Sequence, residues 1–561
     1  MRNKQYIFCI FIIIIFLGIV ALFAYKKAYF YPVADNITHL MGAESLYYDT
    51  DLKVENNDYE RLITKYNYYA ETTKDLIGDY YIGSIAVISK PNAQSSYYVA
   101  KPIFYLSYLA LFTPITDLLL RAILSNILLL LAILGIILYI LMTHLEKKQF
   151  SLLVIIIPIF LVALLGSQLL FYIPLFHPEI FINLIVILST VPLLLAKKTH
   201  TYIYVVSGIA GALLLSEKQI ALFFPLVTMI FIFFTNRNAL KYYVGGFVVG
   251  VLLITLLYQS IYQTFTPYDG PRGLIRYSDT DGIYFTKSNV KLVSFPFPMS
   301  YIDRFYEYFL GKNIGIFVYG PLSIIFLLYT GYFVVKRQWL HVVFFLPVLL
   351  YIGVYFFSVT PKTSYGGSTA IGNRYFFQVY LYVLLVVAIY VTKFISGFSY
   401  PHLKIKNGKI VIGNILAIVF FITISLLVYR PFYRNYARAI RDHVFIPENS
   451  KIFSFFPIEL TYSQQIYNGL HTVNVFNNYI VINNGYRVIE EEHKRGITEN
   501  KSNVIEISPD GNFRLDTRDE FTKVRSYRLN FLFEESVYFG LYEVHCKDSN
   551  QEVCVYLSSE E

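Results

Sequence analysis

The feature that most constrains this chain is a series of long apolar runs that recurs through most of its length. A helix needs about 20 mostly apolar residues to cross a hydrocarbon core about 30 Å thick. The runs that approach this length are Tyr6 to Ala24, Leu118 to Met142, Ser151 to Tyr172, Ile180 to Leu195, Tyr202 to Leu215, Ile220 to Phe234, Tyr243 to Tyr258, Ile314 to Val335, Val342 to Val359, Tyr375 to Val391 and Ile410 to Val428. The sequence therefore predicts a polytopic α-helical membrane protein with about eleven spans.

Two of these runs are open to more than one interpretation. The Tyr202 and Ile220 runs are short and nearly adjacent, so they form either two helices at a tight turn or one interrupted re-entrant element. The first run has the basic flank of a signal peptide, but it is long enough to span. Because Lys26 and Lys27 follow it in place of a small-residue cleavage site, we expect an uncleaved first span.

The composition and the positions of the charges agree with a membrane protein. Hydrophobic residues make up 56% of the chain and charged residues only 15%, which is more apolar surface than a soluble core requires. When the spans alternate, the basic short loops, represented by Lys147, Lys197, Lys241, Lys336 and Lys404, fall on one side, which is predicted to be cytoplasmic. This topology accounts for most of the net charge of +9, so the charge does not indicate a nucleic-acid partner.

The long connections then lie on the outer side of the membrane. They are residues 25–117, 259–312 and 360–374, followed by a tail at 430–561. We predict a transmembrane domain over residues 1–429 and an extracytoplasmic C-terminal domain, mainly β or α+β, over the tail.

Parts of these connections have their own predicted structure. Asn36 to Tyr48 reads as an amphipathic helix lying along the membrane, and Lys101 to Pro114 as an interfacial helix bounded by prolines. The connection 259–312 is rich in turn residues and lacks helical periodicity. In the tail we expect one helix near Phe432 to Val444 and short strands after it.

Acidic residues at the outer ends of spans are candidates for chemistry, because a charge near the hydrocarbon region is costly unless it is paired or used. Asp35 follows the first span, Asp49 and Asp51 form a D-x-D after the predicted helix, and Glu179, two residues after His177, begins a span. Each has a structural alternative. Asp35 could be the N-cap of the next helix, and the D-x-D could solvate a turn. Glu179 could complement the helix dipole.

Three cations also lie at the outer ends of apolar segments. Lys101 precedes Pro102, Lys218 follows Glu217 between two short runs, and Arg374 begins a span after a glycine-rich loop. An ammonium can bind phosphate as a point charge, and a guanidinium can bind it through two parallel hydrogen bonds. The alternatives are a snorkelling lysine, an ion pair between sequence neighbours and a solvated interface arginine.

Cys546 and Cys554 flank a segment of the tail that reads as a hairpin. On the outer side of the membrane the two thiols could form a disulfide. They could equally remain free thiols in strands, because the sequence does not fix the register of the hairpin.

The order of these motifs resembles that of membrane glycosyltransferases of the GT-C superfamily. The similarity includes the acid after the first span, the Lys-Pro pair at Lys101, the motif His177-Pro178-Glu179, and the loop YGGSTAIGNRYFF with Gly366, Gly367, Gly372 and Arg374. It points to transferases of the aminoarabinose transferase and protein O-mannosyltransferase type, which use a polyprenyl-phosphate carrier. This chain departs from the family pattern at His177, where the family often has an aspartate.

The resemblance implies an inverting glycosyltransferase in the cytoplasmic membrane. It would transfer a sugar from a polyprenyl-phosphate-linked donor to a lipid, glycan or protein acceptor on the outer face, surrounded by membrane lipids. Asp35 would be the catalytic base, and Lys101, Lys218 and Arg374 would bind the donor phosphate.

The resemblance also implies secondary roles. The glycines of the loop would let backbone amides approach a ligand. The candidates for binding the sugar, or a divalent cation such as Mg or Mn, are Asp49, Asp51, His177 and Glu179. A half-site of one imidazole and one carboxylate is not a recognised metal motif.

Two other function classes fit a polytopic chain with charges near the membrane. A transporter or flippase of a lipid-linked glycan usually has internal repeats and charges near the bilayer midplane, whereas this chain has long outer loops and charges at one face. A non-catalytic assembly factor would use its outer domain to bind a partner.

Overall fold

A computed structural model describes residues 2–27, 35–65, 85–89, 97–145, 153–165, 172–195, 200–263, 272–278, 282–287, 308–309, 316–320, 322–358, 374–396, 473–476, 479–483, 505–507, 513–515, 519–529 and 537–545. These residues are mostly helical. The chain divides into two compact units. The first contains residues 1–295, 319–359 and 375–429, and the second contains residues 296–318, 360–374 and 430–561.

The secondary structure is dominated by helices, with strands in the connections and the tail. The helices are α1 (Arg2–Lys27), α2 (Asp35–Tyr48), α3 (Asn56–Lys65), α4 (Ile103–Ala110), α5 (Leu118–His144), α6 (Leu153–Leu165), α7 (Glu179–Leu195), α8 (Thr201–Glu217), α9 (Phe223–Thr235), α10 (Arg237–Tyr262), α11 (Ile316–Tyr319), α12 (Leu322–Val335), α13 (Trp339–Val342), α14 (Leu346–Ser358), α15 (Arg374–Phe377) and α16 (Tyr380–Ser396). The strands are β1 (Ile85–Ser89), β2 (Tyr97–Val99), β3 (Arg272–Ser278), β4 (Gly282–Lys287), β5 (Val473–Phe476), β6 (Tyr479–Asn483), β7 (Ile505–Ile507), β8 (Phe513–Leu515), β9 (Asp519–Leu529) and β10 (Val537–His545).

Every predicted span that falls in the described ranges coincides with helical structure. Within these ranges, α5 and α10 are the two helices that are long and apolar enough to cross a membrane. Shorter apolar helices of 10–17 residues include α7, α8 and α12. The predicted span from Ile410 to Val428 and the predicted helix near Phe432 to Val444 lie outside the described residues.

The region from 202 to 234 forms two helices, not one interrupted element. A 3-10 turn at Gln219–Leu222 joins α8 to α9. At the far end of this pair, Asn236, which follows α9, donates from Nδ2 to the hydroxyl of Tyr204 near the start of α8, at 3.5 Å. The two helices are therefore antiparallel.

The neighbouring helices share these two ends. The ends of α5 and α7 meet where Nε2 of His144 lies 2.7 Å from the carbonyl oxygen of Leu194. The opposite end contains the start of α7 and the end of α8, which both contact α4 through Tyr105. We call this second end the polar end.

Glycines allow α8 and α10 to pack backbone to backbone. A Cβ on Gly208 would lie 2.1 Å from the carbonyl oxygen of Tyr243, and one on Gly246 would lie 2.3 Å from that of Val205. Such distances are far below a van der Waals contact, so both positions exclude any side chain. Close packing through small residues is typical of helices that associate without a hydrophobic driving force.

The helix α2 confirms the predicted helix after the first span, but not its predicted amphipathic character. All residues from 36 to 45 are buried, including polar ones such as Asn36, Thr38 and Ser45. A Cβ on Gly42 would lie 2.8 Å from Cδ1 of Leu106, so α2 packs closely on α4. The polar face of α2 is therefore turned toward other protein elements.

Two connections that are distant in sequence form one antiparallel sheet, of strand order β2-β1-β3-β4. Ile85 pairs with Ile275 and Ile88 with Arg272, which joins the first predicted outer loop to the second. The turn-rich connection 259–312 also contains strands that were not predicted, because Arg272–Ser278 and Gly282–Lys287 pair as a hairpin. Alternation in this segment is weak, and its strands are stabilised by partners that a local pattern does not reveal.

The described strands of the second unit form a six-stranded antiparallel sheet of order β5-β6-β10-β9-β8-β7. The longest pairing joins β9 and β10, with a register shift between Leu541 and Tyr542. These strands agree with the prediction of short strands in the tail.

We expect Gly246→Ala to lower the thermal midpoint of the detergent-solubilised protein, because the new methyl group would overlap the carbonyl of Val205. Overpacking of this kind costs roughly 1–3 kcal/mol. The matched control is Gly245→Ala, the adjacent position on α10, where a Cβ meets nothing within 4 Å. The control should be neutral or slightly stabilising, since alanine favours a helix over glycine by up to about 1 kcal/mol. Equal midpoints for the two variants would contradict this packing.

Candidate functional site

The candidate site is a set of buried polar side chains at the polar end of the helices. We call it the polar cluster, and it consists of His39, Glu44, Arg121, His177, Glu179 and Glu217. Each of these residues is at most 3% exposed. Its members come from α2, α5, α7 and α8 and from the segment just before α7.

Tyr105 of α4 connects three parts of this cluster. Its hydroxyl donates to the carbonyl oxygen of His177 at 2.8 Å, and its backbone N–H donates to Oε1 of Glu217 at 3.3 Å. The ring of His39 meets the Tyr105 ring edge to face, with centroids 5.2 Å apart. The segment after Lys101 is therefore packed against α2, the start of α7 and the end of α8.

The amino end of α4 is satisfied by residues from distant helices. Pro102 precedes the helix and makes no side-chain cap. Instead, the N–H of Ile103 donates to the hydroxyl of Tyr258 at 3.1 Å, and Glu217 accepts from Tyr105. The first turn of a helix has free N–H groups and partial positive charge, so a buried carboxylate is favoured there. This gives Glu217 a structural role beside any functional one.

The segment before α7 is fixed by an asparagine. Nδ2 of Asn126 lies within hydrogen-bonding distance of three backbone carbonyls, those of Tyr172, Ile173 and Leu175, at 3.1, 3.0 and 2.8 Å. The two N–H groups of this amide are shared among these carbonyls, and they hold the chain that leads to His177.

His177 and Glu179 lie side by side and are both fully buried. Nδ1 of His177 is 3.6 Å from Oε2 of Glu179. In the described part of the chain, no three His, Cys, Asp or Glu side chains are grouped so as to hold a metal ion. Divalent Mg or Mn prefers several oxygen ligands, so this pair alone does not fit such a cation.

The ammonium of Lys218 is held over aromatic rings. Its Nζ lies 4.0 Å from the ring centroid of Tyr375 and 5.5 Å from that of Tyr355. The two rings are stacked, with centroids 5.0 Å apart and planes at 11°. The hydroxyl of Tyr351 donates to the carbonyl oxygen of Tyr375 at 2.8 Å and fixes its backbone. A cation over a ring face is attracted by the ring quadrupole.

The D-x-D after α2 is part of a hydrogen-bonded turn. Asp49 accepts two bonds from Nη2 of Arg61, at 2.8 and 3.0 Å. Oδ1 of Asp51 accepts from the hydroxyl of Ser45 at 3.1 Å and from the N–H of Lys53 at 3.0 Å. Both carboxylates therefore have structural partners, in line with the alternative that they stabilise a turn.

Asp58 of α3 is a buried carboxyl near this turn, only 4% exposed. Its Oδ2 accepts from the N–H of Glu55 at 2.9 Å, and its Oδ1 lies 3.7 Å from Nη1 of Arg61. Burial raises the pKa of Asp58 from 3.8 to about 6, and the bond from Glu55 opposes this only in part. The nearby Asp49 raises the pKa further and Arg61 lowers it.

The other predicted residues are described only in part. Asp35 is the first residue of α2, Lys101 is half-buried, and Arg374, the first residue of α15, is 8% exposed and belongs to the second unit. The loop glycines Gly366, Gly367 and Gly372, and the cysteines Cys546 and Cys554, lie outside the described residues.

Sequence reasoning missed four residues of this region: His39, Glu44, Tyr105 and Arg121. The first two lie outside the apolar side of the predicted amphipathic helix, and the pattern alone does not name a partner for them. Arg121 was counted as part of a span, although an arginine inside an apolar run is itself a signal of a buried partner.

Comparison with known proteins finds no match: no family model, no curated protein and no solved structure is significantly similar to this chain.

We expect Asp58→Asn to change how stability depends on pH. Because the folded state binds the Asp58 proton more tightly than the unfolded chain, this proton contributes stability that is complete below pH about 4 and lost as the pH rises through about 6. Asparagine keeps an acceptor for the Glu55 N–H but cannot ionise. Between pH 4 and 7 the free energy of unfolding of the variant should therefore rise relative to that of the wild type, by on the order of 2 to 3 kcal/mol.

The measurement is the thermal midpoint of both proteins in detergent from pH 4 to 8. The control is Glu60→Gln, an exposed acid on the same helix, whose difference from wild type should stay flat. A constant difference for Asp58→Asn over this range would contradict the buried, protonated carboxyl.

Proposed function

We propose that this protein is a multi-pass membrane glycosyltransferase of the GT-C type, with a polyprenyl-phosphate-linked sugar as donor and a lipid, glycan or protein as acceptor. An acceptor hydroxyl or amine attacks the anomeric carbon, whose bond to the phosphate oxygen breaks with inversion. Polyprenyl phosphate leaves with the bonding electron pair, and the acceptor proton passes to a carboxylate.

The observation that carries this proposal is the contact of two of these sequence motifs, together with Glu217, at Tyr105. The helix that follows Lys101 contacts both the His177 segment and Glu217 through this one residue. The Lys101 and His177 motifs are both part of the resemblance to GT-C enzymes, and Glu217 directly precedes the phosphate candidate Lys218.

The position of Asp35 supports its role as the general base. It lies one helical turn before His39, so positions 35 and 39 are on the same face of α2. His39 faces Tyr105 and His177, with ring centroids 5.2 and 6.2 Å away. A base at position 35 therefore belongs to the element that borders the polar cluster.

Lys101, Lys218 and Arg374 are proposed to stabilise the leaving phosphate. A cation placed before the reaction is more effective than one that must be ordered during it, because no reorganisation is needed as charge develops. The aromatic contacts of Lys218 supply such an arrangement. The arginine adds a planar fork that suits phosphate oxygens.

The charge distribution supports an extracytoplasmic site. Arg237 and Lys241 lie in the first turns of α10, at the end opposite to the polar end. Basic residues of short loops remain in the cytoplasm, so the polar end and the domain at 430–561 are assigned to the outer side of the cytoplasmic membrane. A carrier lipid can present its sugar there. Exposed apolar residues of α10, such as Leu252 and Leu256, are suited to contact membrane lipids.

We expect Asp35→Asn to lower turnover by about 10²-fold or more with donor affinity little changed, because asparagine keeps the shape and cannot accept the proton. The assay measures the release of polyprenyl phosphate from a panel of polyprenyl-phosphate-linked sugars in membranes. Glu60→Gln, an exposed acid on α3, is the control and should be fully active. Normal turnover by a folded, inserted Asp35→Asn protein would contradict the assignment and favour the transporter or assembly-factor reading.

We expect Arg374→Lys to weaken donor binding by about tenfold or more, which corresponds to about 1.4 kcal/mol, and to lower turnover as well. Lysine keeps the charge but loses the two parallel hydrogen bonds. Arg237→Lys, at an exposed arginine, serves as the control. Donor affinity that is the same in both variants would remove Arg374 from the phosphate site.

A further inference from the structure

We propose that the buried ion pair between Glu44 and Arg121 is a positioning device, which fixes the rotation of α2 and thereby the place of its first turn. The part of this inference that concerns turnover rests on the proposed function, because it assigns Asp35 to catalysis. Neither residue is proposed to touch a substrate.

The guanidinium of Arg121 joins several elements at one point. Nη1 lies 2.9 Å from Oε1 of Glu44, and Nη2 donates to Oγ1 of Thr113 at 2.6 Å. The guanidinium carbon is 5.6 Å from the ring centroid of Phe176, just before α7. The arginine is 0% exposed and the glutamate 2%. A single side chain thus connects α2, the turn after α4, α5 and the segment that leads into α7.

Stability alone does not explain such a pair. Removing two charges from water costs several kcal/mol per ion, and well-packed apolar residues of similar volume are often as stable. A buried ion pair has a direction that apolar contacts lack, because its hydrogen bonds form only in one arrangement of the fork. Glu44 therefore sets the angle at which α2 rests on α5, whereas apolar packing would permit neighbouring angles.

The geometry of α2 connects this angle to its first turn. Glu44 follows Asp35 by nine positions, or about two and a half turns, so the two positions lie on opposite faces of the helix. On a rigid helix, a rotation at position 44 moves position 35 by the same angle. Packing of Gly42 against Leu106 fixes the distance between α2 and α4. This contact does not fix the rotation of α2 about its own axis, and the ion pair does.

The test compares single with double substitutions. Glu44→Gln or Arg121→Met alone leaves one buried charge without its partner, so each should lower the thermal midpoint. The double variant Glu44→Gln with Arg121→Met buries no charge and should recover most of the midpoint. If the pair contributes only to stability, the hydrogen exchange of α2 and the turnover should return to wild-type values together with the thermal midpoint.

A positioning pair predicts a different result for the double variant. Hydrogen–deuterium exchange of the α2 amides should be at least tenfold faster than in wild type, with α10 amides unchanged. With a polyprenyl-phosphate-linked sugar that the wild type consumes, kcat should fall at least tenfold while KM for the donor stays within twofold. The matched control is Lys53→Met, which breaks the exposed pair with Glu55 after α2 and should change neither measurement.

Wild-type exchange of α2 in the double variant, or wild-type kcat, would overturn the proposal. If the double variant does not insert, Arg121→Lys gives the same decision, because it keeps the charge and loses the fork between Glu44 and Thr113. Exchange requires no substrate. An inactive wild-type protein would therefore count against the proposed function alone, while the exchange of α2 still decides whether the ion pair positions the helix.

Discussion

The burial of charged and strongly polar groups between helices is the constraint on which the polar end depends. Glu44, Glu179 and Glu217 carry carboxyl groups withdrawn from water, and each lies beside a polar partner in the structure. An unsatisfied polar group in such surroundings costs free energy comparable to that of several apolar contacts. The helices at this end therefore adopt the arrangement in which these groups find one another.

Tertiary bonds also replace the local caps that short helices usually have. The amino end of α4 follows a proline and is satisfied by Tyr258 and Glu217, from two other helices. In the same way, Asn126 donates hydrogen bonds to carbonyls of the segment before α7. Such bonds link the geometry of one helix to the positions of several others. A substitution at Glu217 would thus act on the structure of α4 as well as on any ligand nearby.

The sequence predicted the helices well because a long apolar run has few alternative structures. The antiparallel pair α8 and α9 also followed one of the two readings of its interrupted pattern. The burial of the polar face of α2 could not be predicted, because the sequence pattern of a polar face is the same whether water or Arg121 binds its side chains. The hairpin at residues 272–287 was missed for a related reason, since its partner Ile85–Ser89 lies in a distant part of the chain.

For the candidate site, the sequence indicated His177, Glu179 and Lys218. In the structure Tyr105 bonds to the carbonyl of His177, beside Glu179, and to Glu217, which was not among the predicted site residues. The sequence does not single out Tyr105, because it is one of 52 tyrosines in the chain. The D-x-D was conspicuous, yet its two carboxylates have local structural partners. Prominence in a sequence and participation in a site are therefore separate properties here.

The sheet that joins the two connections has a consequence for the synthesis of the chain. Strand β1 pairs with β3, which the ribosome makes roughly 180 residues later, on the order of ten to forty seconds at ordinary elongation rates. During this interval the nascent chain carries β1 and β2 with an unpaired edge that could recruit the wrong strand. The intervening helices α4 to α10 are made in the same interval. Strand β3 can pair with β1 only after α10 has been made. The sheet therefore forms late, when helices α4 to α10 have already been synthesised.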